Sequence, residues 1–234
     1  MKNVKKQIDF DRLAHDYDRY AILMQHAGEQ MLQRLSCVDL QPETMLDLGA
    51  GTGLFNAKLK QCFPSAELIA VDESNKMLDK NDASQKFQSS AESLSFKNNS
   101  IDFIFANMLL PYCDDVEAVF SECCRVLKPN GLLFFSSFGP NNGLPDMHNV
   151  GDALIHAGFV DPVMEVEHLS LAYSTVENMC EEMLGAGLID FVDQTDKKPP
   201  FEIVYGHAWC GDKQTSRMNG AGEAYVSIDQ IMRR

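Results

Sequence analysis

Seven consecutive residues, Asp47-Leu48-Gly49-Ala50-Gly51-Thr52-Gly53, set three glycines at alternate positions behind an acid, and a second acid, Asp72, closes the next apolar run. Glycines let a backbone turn sharply and let a ligand approach with no Cβ in the way. The stretch follows the apolar run 45–48 and precedes the helically spaced 54–62, so it reads as a loop from strand to helix. In an open α/β sheet, ligands bind outside the carboxyl ends of the strands, where such a loop lies.

Two cofactor chemistries compete for that loop. A dinucleotide fingerprint, G-x-G-x-x-G, seats a pyrophosphate on the helix N-terminus. Counted from Gly49 and Gly51, its third glycine falls on Leu54, and Gly53 comes one residue early. Asp47 would also repel a pyrophosphate. S-adenosylmethionine (SAM) has no phosphate and carries an amino-acid end and a sulfonium, so it tolerates a nearby carboxylate. Asp72 is placed to accept from the two ribose hydroxyls of an adenosine, with a helix N-cap as its alternative role. The pair of features favours SAM over NAD.

The elements that must position these residues alternate. Strands are expected at 45–48, 68–72, 87–91, 101–106 and 132–138, with helices at 54–62, near Met77, and at about 116–127. Strands apolar along their length, alternating with helices, argue for a parallel sheet covered on both faces. Lys128-Pro129-Asn130-Gly131 reads as a turn, because proline presets φ and Asn-Gly tolerates positive φ. Beyond Phe138 a helix is expected at 150–157, ended by Gly158, then a strand within 163–173, a helix at 175–183 and a last strand at 201–209. Residues 10–35 read as helix, broken near Tyr20. One domain is expected, with a helical cap (1–36), a cofactor-binding core (37–138) and a substrate-side part (139–234).

The 234 residues are 45% hydrophobic and carry a net charge of −14. Such a chain repels nucleic acid unless it keeps a local basic surface. The nearest candidate is Lys2, Lys5, Lys6, Arg12 and Arg19, diluted by Asp9, Asp11, Asp16 and Asp18. No apolar stretch approaches the ~20 residues of a membrane span, and the N-terminus lacks a signal peptide's apolar core. The seven cysteines form no C-x-x-C pair, so no metal site is expected. Buried reduced thiols of a cytoplasmic protein fit better. His207, flanked by Tyr205 and Trp209, fits a packed residue better than a base, and no catalytic residue is assigned.

Over residues 40–138 the chain resembles the class I SAM-dependent methyltransferases, through LDLGAGTG (46–53), VDES (71–74), SAESLSF (90–96), IDFIFANMLLPYC (101–113) and RVLKPNGLLFFSSF (125–138). The resemblance implies a Rossmann-like, doubly wound α/β fold: a mostly parallel sheet with one antiparallel strand, plus the N-terminal helical lid. It also implies a cofactor site. Asp47, Gly49, Ala50, Gly51 and Gly53 would wrap the methionine part of SAM. Asp72, Glu73 and Met77 would lie at the ribose, Ala91 and Glu92 at the adenine, and Asn107 and Met108 on the methyl-transfer face.

More narrowly, FDRLAHDYDRYA (10–21), HNVGDALIHAGFVDPVMEVE (148–167), LGAGL (184–188) and FEIVYGHAW (201–209) resemble the malonyl-carrier-protein O-methyltransferases of biotin synthesis. The N-terminal helix of such proteins closes over SAM, which makes Tyr17 a contact. An acyl carrier protein bearing a malonyl thioester is the implied partner. A malonyl carboxylate is already an anion at pH 7 and needs no general base. The chain departs from that pattern between Phe138 and His148 and between Leu188 and Phe201, where it is shorter. The shortening keeps two other readings open: methylation of another small molecule or protein, and a SAM-fold assembly factor or hydroxylase that transfers no methyl.

Overall fold

The apolar runs at 45–48, 68–71 and 101–106 are buried along nearly their whole length, as strands covered on both faces must be. A computed structural model describes residues 8–142 and 145–211. Its strands and helices alternate. β1 (Thr44–Leu48), β2 (Glu67–Asp72), β3 (Gln85–Gln88), β4 (Ile101–Ala106) and β5 (Leu127–Phe138) are followed by β6 (Phe159–Ser170) and β7 (Pro200–Cys210). Between them run α4 (Asn56–Cys62), α5 (Asn75–Lys80), α6 (Val116–Val126), α7 (Met147–Ala157) and α8 (Val176–Gly185). Ahead of β1 lie α1 (Phe10–Leu13), α2 (Tyr17–Tyr20) and α3 (Ile22–Leu35).

The seven strands form one sheet in the order β3-β2-β1-β4-β5-β7-β6. β7 is antiparallel to both of its neighbours and the other pairings are parallel. The expected single antiparallel strand is therefore β7. Successive residues of a strand face opposite sides, and the two cores follow that alternation. Met45, Phe103, Phe105, Phe134 and Tyr205 pack towards α3 and the cap. Leu46, Leu48, Ile104, Leu133 and Phe135 pack towards α6 and α7.

Element ends follow local chemistry. Asp115 caps α6, its side chain accepting from the Glu117 and Ala118 amides. Gly158 closes α7 with φ +100°, a left-handed C-terminal stop. α7 begins at Met147 rather than at the expected 150, because Asp146 caps it by accepting from the Asn149 amide at 3.0 Å. β3 covers 85–88 rather than 87–91, which leaves Ser89 to Ala91 as loop. Lys128–Gly131 is no separate turn but an irregular bulge inside β5. The pairing steps from Ile101↔Leu127 to Phe103↔Leu132, with Asn130 at φ +62°. The N-terminal helix breaks twice, after Leu13 and at Ala21.

Cys113, Cys123, Cys124 and Cys210 are buried thiols as expected, but Cys37 and Cys62 are exposed. Among the described residues no cluster suits a metal ion, and no helix is long and apolar enough to cross a membrane.

The β5–β7 pairing places Phe135 opposite Gly206, and a Cβ on Gly206 would lie 2.3 Å from the Phe135 ring. Phe135 is itself packed against Phe120, so the ring has little room to yield. Gly206→Ala is expected to destabilise the protein by about 1–3 kcal/mol through overpacking. Urea unfolding would check this as a lower midpoint at unchanged slope.

Candidate functional site

β1 and β2 run in register, Asp47 beside Ala70 and Leu48 beside Val71, so their carboxyl ends open on the same edge. The glycine loop folds back across β2, with the Gly49 and Ala50 amides donating to the Val71 carbonyl at 2.8 and 2.9 Å. Gly51 has φ +52°, and a Cβ there would meet nothing within 4 Å, so its backbone faces open space. Gly53, at φ +88°, is needed for a different reason: a Cβ would press on the Asn56 amide at 2.5 Å.

Asp72 ties this loop to the next one. Its Oδ2 accepts from the Gly51 amide and its Oδ1 from the Ser74 amide, each at 2.8 Å. Ser74, not Asp72, caps α5, accepting from the Met77 amide at 3.1 Å. Each carboxylate oxygen thus spends one lone pair on the backbone and keeps another. A pair of acceptors held in this way suits a vicinal diol.

The cleft beside these residues has about 700 Å³ of empty space, counting its open mouth. It is lined by Tyr17, Gly49, Gly51, Asp72, Glu73, Met77, Ala91, Asn107 and Met108 among the expected residues. Asp47 and Ala50 line an adjoining space that shares Tyr17, Met24, Gly49, Gly51 and Asn107 with the first. Gly53 and Glu92 line neither. Glu92 turns away and accepts from the Asp114 and Asp115 amides at 2.6 and 2.9 Å, which sets the start of α6. Phe10, Met24, Leu109 and Tyr112 also line the cleft, and the sequence reading did not single them out. Phe10 stands edge-on to both Tyr17 and Tyr112, an aromatic arrangement that pairwise spacing along the chain does not reveal.

The cap is fastened to the two loops that build the cleft. Asp11 accepts from the Ser74 hydroxyl and the Lys76 amide, and Asp18 accepts from the Thr52 hydroxyl. Lys80 Nζ donates to the His15 carbonyl at 2.7 Å. The aspartates that dilute the N-terminal basic residues therefore have a structural task of their own.

The electrostatics are one-sided. Asp47, Asp72 and Glu73 line the two spaces, and no lysine, arginine or histidine does among the described residues. Asp47 is 4% exposed, and its carboxyl makes no hydrogen bond among the described residues. Burial, and then the Asp72 charge, push its carboxyl up to about 7. Burial, and then the charges of Asp72 and Asp18, raise the Tyr17 hydroxyl, so it stays a protonated donor. Its oxygen has no hydrogen-bond partner among the described residues. A cationic ligand is favoured here and a pyrophosphate is not.

Comparison with known proteins agrees with this geometry. A methyltransferase-domain family profile matches residues 46–135. Solved structures share the fold: a SAM-dependent methyltransferase of Thermotoga maritima superposes at TM-score 0.58 and 20% identity, covering 86% of this chain and 97% of that one. Phosphoethanolamine N-methyltransferase 2 of Haemonchus contortus, complexed with phosphomonomethylethanolamine and S-adenosylhomocysteine, reaches 0.62 at 17% identity, covering 86% and 58%. Fold and site together define a class I SAM-dependent methyltransferase.

Among curated proteins, the malonyl-[acyl-carrier protein] O-methyltransferase of Gallionella capsiferriformans is 31% identical, with 93% of each chain covered. That of a Methylovorus species is 32% identical over 86% of each. The chain belongs to this malonyl-[acyl-carrier protein] O-methyltransferase family. The first alignment spans 272 positions against the 234 residues of this chain, so the relative carries residues that this chain lacks.

Asp47 yields a stability test. Its carboxyl rises from an ordinary 3.8 to about 7 on folding, so the folded state holds the proton more tightly. The stability this confers is full below about pH 4 and is lost as pH rises through about 7. Without ligand, Asp47→Asn is expected to exceed the parent in stability by on the order of 2–4 kcal/mol at pH 8. The gap should shrink as pH falls towards 4, read by urea unfolding at each pH.

Proposed function

We propose that this enzyme methylates the free carboxylate of a malonyl thioester borne on an acyl carrier protein, using SAM. The observation that carries the cofactor half is the buried, unpaired Asp47 carboxyl beside the open backbone of Gly51. An ammonium group fits the first, and a close-packed amino-acid end fits the second. Asp72 would hold the ribose diol with its spare lone pairs. Met77 and Ala91 would flank the adenosine, and Tyr17 would close the cleft from the cap. When bound, the sulfonium supplies a methyl group whose bond to sulfur breaks as a bond to the acceptor oxygen forms, sulfur keeping the electron pair.

The chain's own part is alignment and exclusion of water. A carboxylate acceptor has no proton to lose, and the absence of a histidine or lysine from the cleft walls among the described residues is compatible with that. In-line displacement needs the reacting atoms held close and collinear, and most of the rate gain comes from that. The cap residues Phe10 and Tyr17, with Met24 and Tyr112, form the wall that would keep the reacting atoms dry.

The substrate half rests on the named relatives. An acidic chain meets an acidic carrier only through a local basic surface. Lys2, Lys5 and Lys6 lie outside the described residues. Arg12 and Arg19 are exposed on α1 and α2, and Lys76 and Lys80 are exposed on α5, against which α1 packs.

Incubation with labelled SAM and malonyl carrier protein is expected to yield a base-labile methyl ester. SAM binding without any ester on carrier-bound or free malonyl thioester would refute the acceptor and favour a non-methylating role. Arg12→Glu is expected to lower kcat/KM for the carrier-bound substrate and to spare a short thioester. The difference should shrink as salt rises.

A further inference from the structure

The end of β4 carries a hydrogen-bond relay to β5 and α3. The Ser136 hydroxyl, on β5 and fully buried, donates to Asn107 Oδ1 at 2.8 Å. The Met108 amide donates to Ser136 Oγ at 2.9 Å. Asn107 Nδ2 donates to the Met24 carbonyl, on α3, at 2.9 Å. Met108 is held at φ +53°, an unfavourable conformation for a residue with a side chain, and it is buried. Such strain persists only where the surroundings impose it.

The relay fixes which way the Asn107 amide points. Turning it over would set its oxygen against the Met24 carbonyl and forfeit the acceptor of the Ser136 hydroxyl. The observed orientation spends Oδ1 on Ser136 and one N–H on Met24. The second N–H has no acceptor among the described residues, and Asn107 lines both spaces of the cleft. With the Tyr17 hydroxyl on the cap side, this half-buried amide N–H is a hydrogen-bond donor in walls whose charged side chains are all carboxylates. An anionic acceptor entering such walls needs a donor, and it gains more from one than a neutral acceptor does.

We propose that the free N–H of Asn107 holds the acceptor's carboxylate for methyl transfer, with Ser136 as the positioning residue that sets the amide's orientation. This deepens the proposed function and rests on it. In the transfer, one carboxylate oxygen takes the methyl, the sulfonium becomes a thioether, and no proton moves. The clamp selects a negatively charged oxygen without a general base. Specificity for an acid over its amide then arises at Asn107.

Asn107→Asp is nearly isosteric and turns the donor into an acceptor. Binding is read by calorimetry in the presence of S-adenosylhomocysteine, with a malonyl thioester of a short pantetheine analogue and with its neutral malonamide counterpart. The parent is expected to prefer the carboxylate. In Asn107→Asp, carboxylate affinity should fall roughly ten- to hundredfold, the amide should gain, and the preference should reverse. S-adenosylhomocysteine affinity is measured separately for each variant, so that the comparison of the two malonyl ligands is made at a saturated cofactor site. Ser136→Ala should weaken the carboxylate more than the amide, and Ser136→Thr, which keeps the hydroxyl, should restore it.

Equal losses for both ligands would mean that the relay only ties α3 to the sheet, overturning the proposal. A parent that forms no methyl ester would instead refute the substrate reading. An active parent with an unchanged ligand preference in Asn107→Asp would refute the clamp alone.

Discussion

Two neighbouring parallel strands that each bring a carboxylate to the cleft, Asp47 from β1 and Asp72 from β2, set the terms for the rest of this protein. Asp72 shares its charge between the Gly51 and Ser74 amides, and in doing so it fixes the glycine loop and the start of α5 together. Asp47 has no such relief. A buried carboxyl without a hydrogen-bond partner destabilises the fold unless it stays protonated or meets a cation. The cleft built by the chain alone is therefore incomplete in charge, and the charge that completes it is positive. A SAM-dependent methyltransferase binds a cofactor that supplies it.

The same two loops receive the cap. Asp11 reaches Ser74 and Asp18 reaches Thr52, so α1 and α2 are held by the elements that shape the cleft rather than by the sheet. Cap position and loop position are thereby linked through four side chains. Behind the cap, Phe10 sits between Tyr17 and Tyr112 and closes the apolar wall. Tyr20 extends the attachment to α8, its hydroxyl donating to Glu181 at 2.8 Å. Residues distant in the chain thus enclose one cleft, and the −14 charge of the whole chain is partly the charge of these latches.

What could be read from the sequence was whatever depends on local pattern. Buried parallel strands announce themselves as apolar runs, and a positive-φ loop announces itself as glycines, so the sheet and most of the cleft floor were legible. Misplacements came from contacts beyond the apolar pattern, the first a local cap and the others tertiary. Asp146 extends α7 by capping it, and Lys128–Gly131 stays within β5 because Lys128 reaches Asp102 at 2.8 Å. Glu92 had the right position in the motif but spends its carboxylate on the α6 amides. The Asn107–Ser136 relay and the Phe10–Tyr17–Tyr112 cluster join residues far apart in sequence, and a single sequence gives no signal of such pairs.

The central claim, that cofactor binding completes the charge of a cleft built around Asp47, makes binding a protonation event. Calorimetric titration of SAM at pH 6.5 in two buffers of different ionisation enthalpy measures the protons exchanged. A carboxyl near 7 is mostly protonated at that pH, so binding should release roughly half a proton or more from the parent. Asp47→Asn should release almost none. No release from the parent, or the same release from both proteins, would contradict the account.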